Sequence, residues 1–407
     1  MDLRAARRDP EAFRAALARK GAAAAFDELL AADARWREAM ARAEALRHAT
    51  RPKGRPSEAE QRALRAAKEE LQALEEELAR HARRRNDLLA RVPNPPDPTV
   101  PDGEREEDAL ELRRVGEPPS FSFAVRDHLE LGGFDTERAA RVSGARFAYR
   151  VGPVALVELA LYRFALDRLV QAGFVPVLPP VLVREAAMYG TGFLPTEASN
   201  LYRVEADDLY LTGTSEVALA AYHAGEVLAE EDLPLRYAGY STCFRREAGA
   251  AGRDTRGIFR VHQFDKVEMF VFTTPERSRE EHEAILALEE SLAGALGLAY
   301  RVVVTAAGDL GPAAAKKYDL EAWIPSQGRY REITSCSNTT DFQARRLEVR
   351  MRRGGGLVHP HTLNGTAMTA RFLVALLEQR QEPDGAVELP EVLLPYGAPA
   401  RLEGRAP

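Results

Sequence analysis

Cysteine is nearly absent: the 407 residues hold two, Cys243 and Cys336. No cysteine–histidine grouping has zinc-ligand spacing, so neither a structural zinc centre nor a disulfide framework is expected. A single bridge between the two is not expected in a reducing compartment either; both read as small, buried strand residues. Long hydrophobic runs are missing, and no apolar stretch approaches the ~20 residues that span a bilayer. The first eight residues lack the apolar core of a secretory signal. Together these absences lead to the expectation of a cytoplasmic protein that meets no membrane. A large charge of one sign is missing too. The net charge of −6 argues against a general nucleic-acid binder, yet it leaves room for a local basic surface. Neither a phosphate-cradling P-loop nor a dinucleotide glycine fingerprint occurs. There is no internal repeat.

What is present is ordinary for a globular chain, 45% hydrophobic and 29% charged, and long enough for two or more domains. Asp9-Pro10-Glu11 supplies an N-cap, a proline at the first helical position and an acid at the positive end of the helix dipole. Lys20-Gly21 stops that helix. Leu29, Ala32, Trp36, Ala39, Ala43 and Leu46 then recur at intervals of three and four, as do Leu64, Ala67, Leu71, Leu74 and Leu78. That is a heptad seam. Arg51-Pro52-Lys53-Gly54-Arg55-Pro56 interrupts it, and Ser57 with Glu60 restarts a helix in a capping-box pattern. An antiparallel coiled-coil hairpin follows, its second helix reaching over residues 57–92, roughly 54 Å at 1.5 Å per residue. The seam weakens where His81 and Arg85 fall on it, within the cluster Arg80, Arg83, Arg84 and Arg85. Pro93, Pro95, Pro96, Pro98 and Pro101 then read as a stiff linker. The boundary is set there, dividing residues 1–100 from 101–407.

Beyond the linker an α+β pattern is expected. Residues 155–172 read as a helix ended by Gly173, and the proline-rich stretch 174–180 as an edge strand. Strands are expected around 235–246, 259–273, 300–305, 318–323 and 330–335, with helices over 276–296 and 371–379 packed behind them. Side chains on a strand alternate faces. Arg245 and Glu247 therefore share one face of the first of these strands, and Arg260, Phe264 and Glu268 one face of the second. A cation, an acid and a flat aromatic converging on one sheet surface suit a triphosphate, an amine and a purine. The competing reading is a solvated hairpin with cross-strand ion pairs.

Wider context decides between them. Cys243-Phe244-Arg245-Arg246-Glu247-Ala248-Gly249, continued by Arg253-Asp254-Thr255-Arg256-Gly257 and Arg260-Val261-His262-Gln263-Phe264-Asp265-Lys266-Val267-Glu268, resembles motif 2 of the class II aminoacyl-tRNA synthetases. Its wording is similar to that of the seryl-tRNA synthetases. Tyr189-Gly190-Thr191-Gly192, Leu211-Thr212-Gly213-Thr214-Ser215-Glu216, Tyr330-Arg331-Glu332-Ile333-Thr334-Ser335-Cys336-Ser337-Asn338, Asp341-Phe342-Gln343-Ala344-Arg345-Arg346 and Leu363-Asn364-Gly365-Thr366 extend the resemblance over nearly the whole chain. It implies an N-terminal tRNA-binding domain with a helical arm, and a class II catalytic domain built on an antiparallel β-sheet flanked by helices.

The resemblance also implies roles. The activity is serine–tRNA ligation: serine and ATP give seryl-adenylate, and serine is then transferred to tRNA(Ser), with tRNA(Sec) a second expected acceptor. Arg245 would hold the α-phosphate and Arg371, in motif 3, the γ-phosphate, both as catalytic groups. Glu247 would meet the adenine amine, and Phe264 would stack on the purine. Glu332 and Ser335 would carry Mg²⁺, while Arg246, Val261, Ile333 and Thr334 complete the ATP site. Glu216 and Glu268 would attract the serine ammonium and Thr366 its hydroxyl, with Thr214, Ser215 and Asn364 beside them. One stretch departs from the family pattern: Asn364-Gly365-Thr366-Ala367-Met368-Thr369-Ala370-Arg371 is one residue shorter than usual. A homodimer with tRNA bound across subunits is expected by analogy. Two other readings share the scaffold. A carrier-protein-charging relative would lack the arm and use zinc ligands. A catalytically inactive paralogue would have lost Arg245, Glu247, Glu268, Glu332 or Arg371, and none is lost.

Overall fold

The computed structural model describes residues 1–50, 57–248 and 256–404, and of Ala59 and Glu60 the backbone only. The expected turn at 51–56 with its cations Arg51, Lys53 and Arg55, the Glu60 half of the capping box, and Arg253, Asp254 and Thr255 lie outside the described residues. The chain divides into two compact units, Met1–Pro95 and Pro96–Pro407.

The first unit is helical: α1 (Leu3–Arg8), α2 (Pro10–Ala18), α3 (Ala23–Ala49) and α4 (Glu58–Arg91). Asp9 caps α2 as expected, its carboxylate accepting the Ala12 N–H at 3.1 Å. The sequence reading missed α1, which Asp2 caps. Helices α3 and α4 run antiparallel, as the cross-pairs Arg47–Glu75, Arg42–Glu77 and Arg84–Glu28 require. Leu29, Ala32, Ala39, Ala43 and Leu74 are buried along the seam. The polar interruption has a packing reason: the Arg85 guanidinium lies 3.8 Å over the Trp36 ring. Leu88 and Val92 then resume the apolar contact with Phe26 and Leu29. The four arginines are thus not one cluster. Arg85 turns into the hairpin and Arg84 is tied to Glu28, while Arg80 and Arg83 face solvent.

The second unit is built on eight strands: β1 (Leu110–Val115), β2 (Val175–Val177), β3 (Leu235–Phe244), β4 (Gln263–Thr273), β5 (Tyr300–Val304), β6 (Lys316–Ile324), β7 (Arg329–Thr340) and β8 (His361–Thr369). Their spatial order is β1-β5-β6-β7-β8-β4-β3-β2. Every pairing is antiparallel except that of β2 with β3, at the edge where proline was expected. The three longer helices α6 (Pro153–Gln171), α7 (Ser278–Ala295) and α8 (Ala370–Gln379) pack against one face of this sheet, and a one-turn helix α5 (His128–Leu131) precedes them. Strand β1, exposed throughout, and the strand character of β8 were not anticipated. Cys243 and Cys336 are buried and reduced on β3 and β7.

One hairpin differs from its sequence reading. Strand β3 ends at Phe244 and β4 begins at Gln263, so Arg245, Glu247 and Arg260 stand beyond the ladder. The ladder closes where the Arg245 N–H donates to the His262 carbonyl at 2.9 Å. The Arg246 N–H then leaves for the Asn200 carbonyl, and Glu247 takes a left-handed φ of 52°.

Asp33, buried on α3, anchors the first unit through Arg7 at 2.6 Å and Arg37 at 3.1 Å. Burial alone would raise its carboxyl; the hydrogen bonds and charges of Arg7 and then Arg37 outweigh that and hold it below the usual range. Its stabilisation is therefore complete above the unfolded value, ~3.9, and is lost as pH falls through the lower folded one. Asp33→Asn is expected to cost about 1–3 kcal/mol near neutrality and to flatten the acid limb of helix melting followed by circular dichroism. An unchanged acid limb would contradict this.

Candidate active site

Strand β4 has two unlike faces. Val267, Met269 and Val271 enter the main core with Leu161 of α6, Ile285 of α7 and Leu373 of α8. Phe264, Lys266 and Glu268 alternate to the other side and line a cavity of about 370 Å³. Farther along that second face, Phe270 and Phe272 are covered by Leu219, Ala344 and Val349. The polar face is thus sealed at one end and open at the other.

Cations gather at one end. The Arg371 guanidinium, at the start of α8, donates from Nη1 to the Glu332 carbonyl at 2.9 Å and from Nε to the Phe259 carbonyl at 3.3 Å. Arg245 donates from Nε to the Gly213 carbonyl at 3.1 Å and stands 5.2 Å over the Phe264 ring. Arg260 and Glu247 pair with each other at 2.6 Å on a cavity wall, beyond the strands between which the solvated-hairpin reading expected ion pairs. Burial would raise the Glu332 carboxyl, but Arg371, Lys317, Arg245 and Arg260 outweigh it and hold the group below its usual value. An ionised carboxylate and the Ser335 side chain therefore line this end together.

Acids gather at the other end. Glu216 Oε1 accepts from Gln343 Nε2 at 2.7 Å and from Asn364 Nδ2 at 2.8 Å. Burial, and secondly the charge of Glu268, push its carboxyl up to about 7. Glu268 is itself raised by burial, opposed chiefly by Lys266, with which it forms an ion pair. Lys266 Nζ also donates to Thr214 Oγ1 at 2.8 Å, and Thr366 Oγ1 lies 3.5 Å from Glu268 Oε2.

Of the residues expected from sequence, Thr214, Glu216, Arg245, Glu247, Val261, Phe264, Glu268, Glu332, Ile333, Thr334, Ser335, Asn364, Thr366 and Arg371 all line this cavity. Two do not. Ser215 is buried with its hydroxyl turned to the Gly239 carbonyl. Arg246 stands near the Tyr202 ring, 6.0 Å away, where the chain has left the ladder and its N–H donates to the Asn200 carbonyl. Lys266, Lys317 and Glu197 line the cavity and were missed. Lys266 was legible, since it alternates in step with Phe264 and Glu268. Glu197, raised by burial, comes from a loop with no periodic signal.

Strand β8 carries a bulge in the stretch before Arg371. Val267 faces Met368 while Glu268 faces Thr366, which leaves Ala367 without a partner on β4. A bulge adds one residue and bends its strand. Thr366 and Thr369, three apart, consequently both reach the cavity, and Thr369 caps α8 by accepting the Arg371 N–H at 3.2 Å.

Known proteins resemble this chain along its length. Residues 1–96 match the family model for the seryl-tRNA synthetase N-terminal domain, and residues 201–380 the class II tRNA synthetase core domain (G, H, P, S and T). The chain is 52% identical over 411 residues to a serine–tRNA ligase of Acidothermus cellulolyticus and 49% identical over 417 residues to that of Thermobifida fusca, covering 97% of both chains in each case. Its fold is similar to that of seryl-tRNA synthetase from Pyrococcus horikoshii complexed with ATP, with a TM-score of 0.94 and 40% identity over the whole of both chains. The cytoplasmic serine–tRNA ligase from Naegleria fowleri in complex with AMP gives 0.90 and 35%, covering 98% of this chain and 96% of that one. With an arm and a catalytic sheet that both match along almost their full length, the chain belongs to the seryl-tRNA synthetases, the ligases that join serine to tRNA at the expense of ATP.

Proposed function

We propose that seryl-adenylate forms along this cavity, its phosphate at the Arg245–Arg371 end and its ammonium at the Glu216–Glu268 end. The observation that carries the reading is this separation of charge along one cavity. The serine carboxylate oxygen attacks the α-phosphorus and the bond to pyrophosphate breaks. A 2′- or 3′-hydroxyl of the terminal adenosine then attacks the activated carbonyl, the carbonyl–phosphate bond breaks, and AMP leaves with the hydroxyl proton taken up by its phosphate. The first nucleophile is already an anion, so that step needs no base, and catalysis rests on position and field. Arg245 fits the α-phosphate and Arg371 the γ-phosphate as forked, permanently charged donors. Phe264 offers its ring to the purine, and Glu247 accepts from the adenine amine once it gives up Arg260. Val261, Ile333 and Thr334 border the same pocket.

The donor set at Glu332 and Ser335 fits Mg²⁺. Two protein oxygens, one of them an ionised carboxylate, suit a hard cation that keeps water and phosphate in its remaining positions. No group of three or more metal-ligating side chains occurs among the described residues, which favours an ion carried in on the triphosphate over one resident in the protein. When bound, it would neutralise charge on the leaving phosphates.

For serine, Glu268 and ionised Glu216 attract the ammonium, and Thr366 meets the hydroxyl. A polar group left unpaired by alanine supplies the discrimination. Because Glu216 ionises near pH 7, the Michaelis constant for serine in pyrophosphate exchange is expected to fall severalfold between about pH 6 and 8. Glu216→Gln should weaken serine binding and remove that slope. A slope that persists in the variant would place the titration elsewhere.

The unit 1–95 is read as the RNA-binding part and 96–407 as the catalytic one. Arg80 and Arg83, exposed on α4, suit the RNA backbone, where cations act by shape and charge. Arg80→Glu with Arg83→Glu is expected to lower tRNA charging by tenfold or more at low salt while serine-dependent exchange stays intact; equal loss of both would refute the assignment. A homodimer is also proposed. Leu156 and Leu159 on α6 are 54% and 58% exposed, and Val175 and Leu178 at β2 55% and 81%, an apolar face of the kind that marks association. Leu159→Asp should shift sedimentation from dimer to monomer. An unchanged sedimentation coefficient would move the interface elsewhere. No described helix is long and apolar enough to cross a membrane, and serine, ATP and tRNA meet in the cytoplasm, the compartment we propose.

A further inference from the structure

The chain returns to the cavity at Arg256–Val261, and this return is held by a residue far away in sequence. Arg256 pairs with Asp127 at 2.9 Å and with Glu130 at 3.2 Å. Between those two acids stands His128, the first residue of α5, whose ring is buried. The Ile258 N–H donates to His128 Nε2 at 3.1 Å. A nitrogen that accepts carries no proton, so the ring proton sits on Nδ1. Nδ1 in turn donates to Glu378 Oε1 at 2.8 Å. Glu378 is fully buried and also accepts the His128 N–H at 3.1 Å and, on its other oxygen, the Ser326 N–H at 3.1 Å. Gly257 makes the approach possible. Its φ is +86°, and a Cβ there would lie 2.5 Å from His128 Nε2.

Glu378 and Arg371 belong to one helix, α8, seven residues apart and so on one side of it. Helix α8 therefore meets the returning segment at two successive residues. Glu378 reaches Ile258 through His128, and Arg371 reaches the Phe259 carbonyl directly while its guanidinium lies 4.8 Å over the Phe259 ring. We propose that His128, oriented by Glu378, is a positioning residue for nucleotide binding: it fixes Ile258 so that Phe259 stays beneath Arg371 and Arg260 stays on the cavity wall. The serine end, held by β4, β8 and Gln343, is independent of this clamp.

The inference rests on the proposed placement of ATP at the Arg371 end, and the experiment separates the two. Serine-dependent pyrophosphate exchange by the unaltered protein tests the placement of the activity itself; variants measured against it test the clamp. His128→Asn keeps a donor toward Glu378 but cannot reach Ile258. It is expected to raise the Michaelis constant for ATP roughly tenfold, with that for serine changed by less than about twofold. His128→Gln, whose amide oxygen can accept from Ile258, should restore most of the loss. Should His128→Asn fail to fold, Gly257→Ala decides, because it strains the same contact from the surface and should give the same ATP-selective defect. ATP kinetics unchanged in the variants, ATP and serine constants rising together, or Gln no better than Asn would each overturn the proposal.

Discussion

Strand β4 can carry Lys266 and Glu268 side by side because its opposite face is locked into the core by Val267, Met269 and Val271. Buried charge is costly unless paired, and here the strand meets that cost locally. Lys266 is paired with Glu268 and bonded to Thr214, while Glu216 is pushed toward neutrality and bonded by two amides. The apolar face fixes the register of the strand, and the register fixes where the charges stand. A one-residue slip would exchange core for cavity.

The same constraint bears on strand β8, which pairs with β4 through one irregularity. The Ala367 bulge on β8 sets Thr366 opposite Glu268 and lets Thr369 begin α8. Arg371 then projects from the first turn of that helix, where a cation opposes the dipole. The arrangement favours interaction with an anion over stability, as a functional site permits.

Charge in the cavity is graded along its length. Arg245, Arg371 and Lys317 surround Glu332 strongly enough to override the effect of burial on it, whereas at the opposite end burial and the charge of Glu268 both raise Glu216. That gradient exists before any ligand arrives, and it suits the adduct we propose, with phosphate at one end and ammonium at the other. Preorganisation of this kind is the main resource of a reaction whose nucleophile needs no activation.

The hairpin of α3 and α4, the helices behind the sheet and most of the strands could be read from the sequence, since heptad spacing, capping residues and β-branched runs are local signals. Residue types at the site were legible for the same reason, helped by motifs that keep their order along the chain. Tertiary structure alone decided the rest. Arg246 and Ser215 turn away from the cavity because the ladder ends at Phe244 and because Gly239 offers Ser215 a carbonyl, neither of which a motif records. Arg85 joins the hairpin seam because Trp36 lies across from it. Glu197 reaches the cavity from a loop, and His128 reaches Ile258 across 130 residues of chain. Periodicity reports which way a side chain faces within its own element; which partner it meets there depends on contacts between elements distant in sequence, and only the folded chain brings those together.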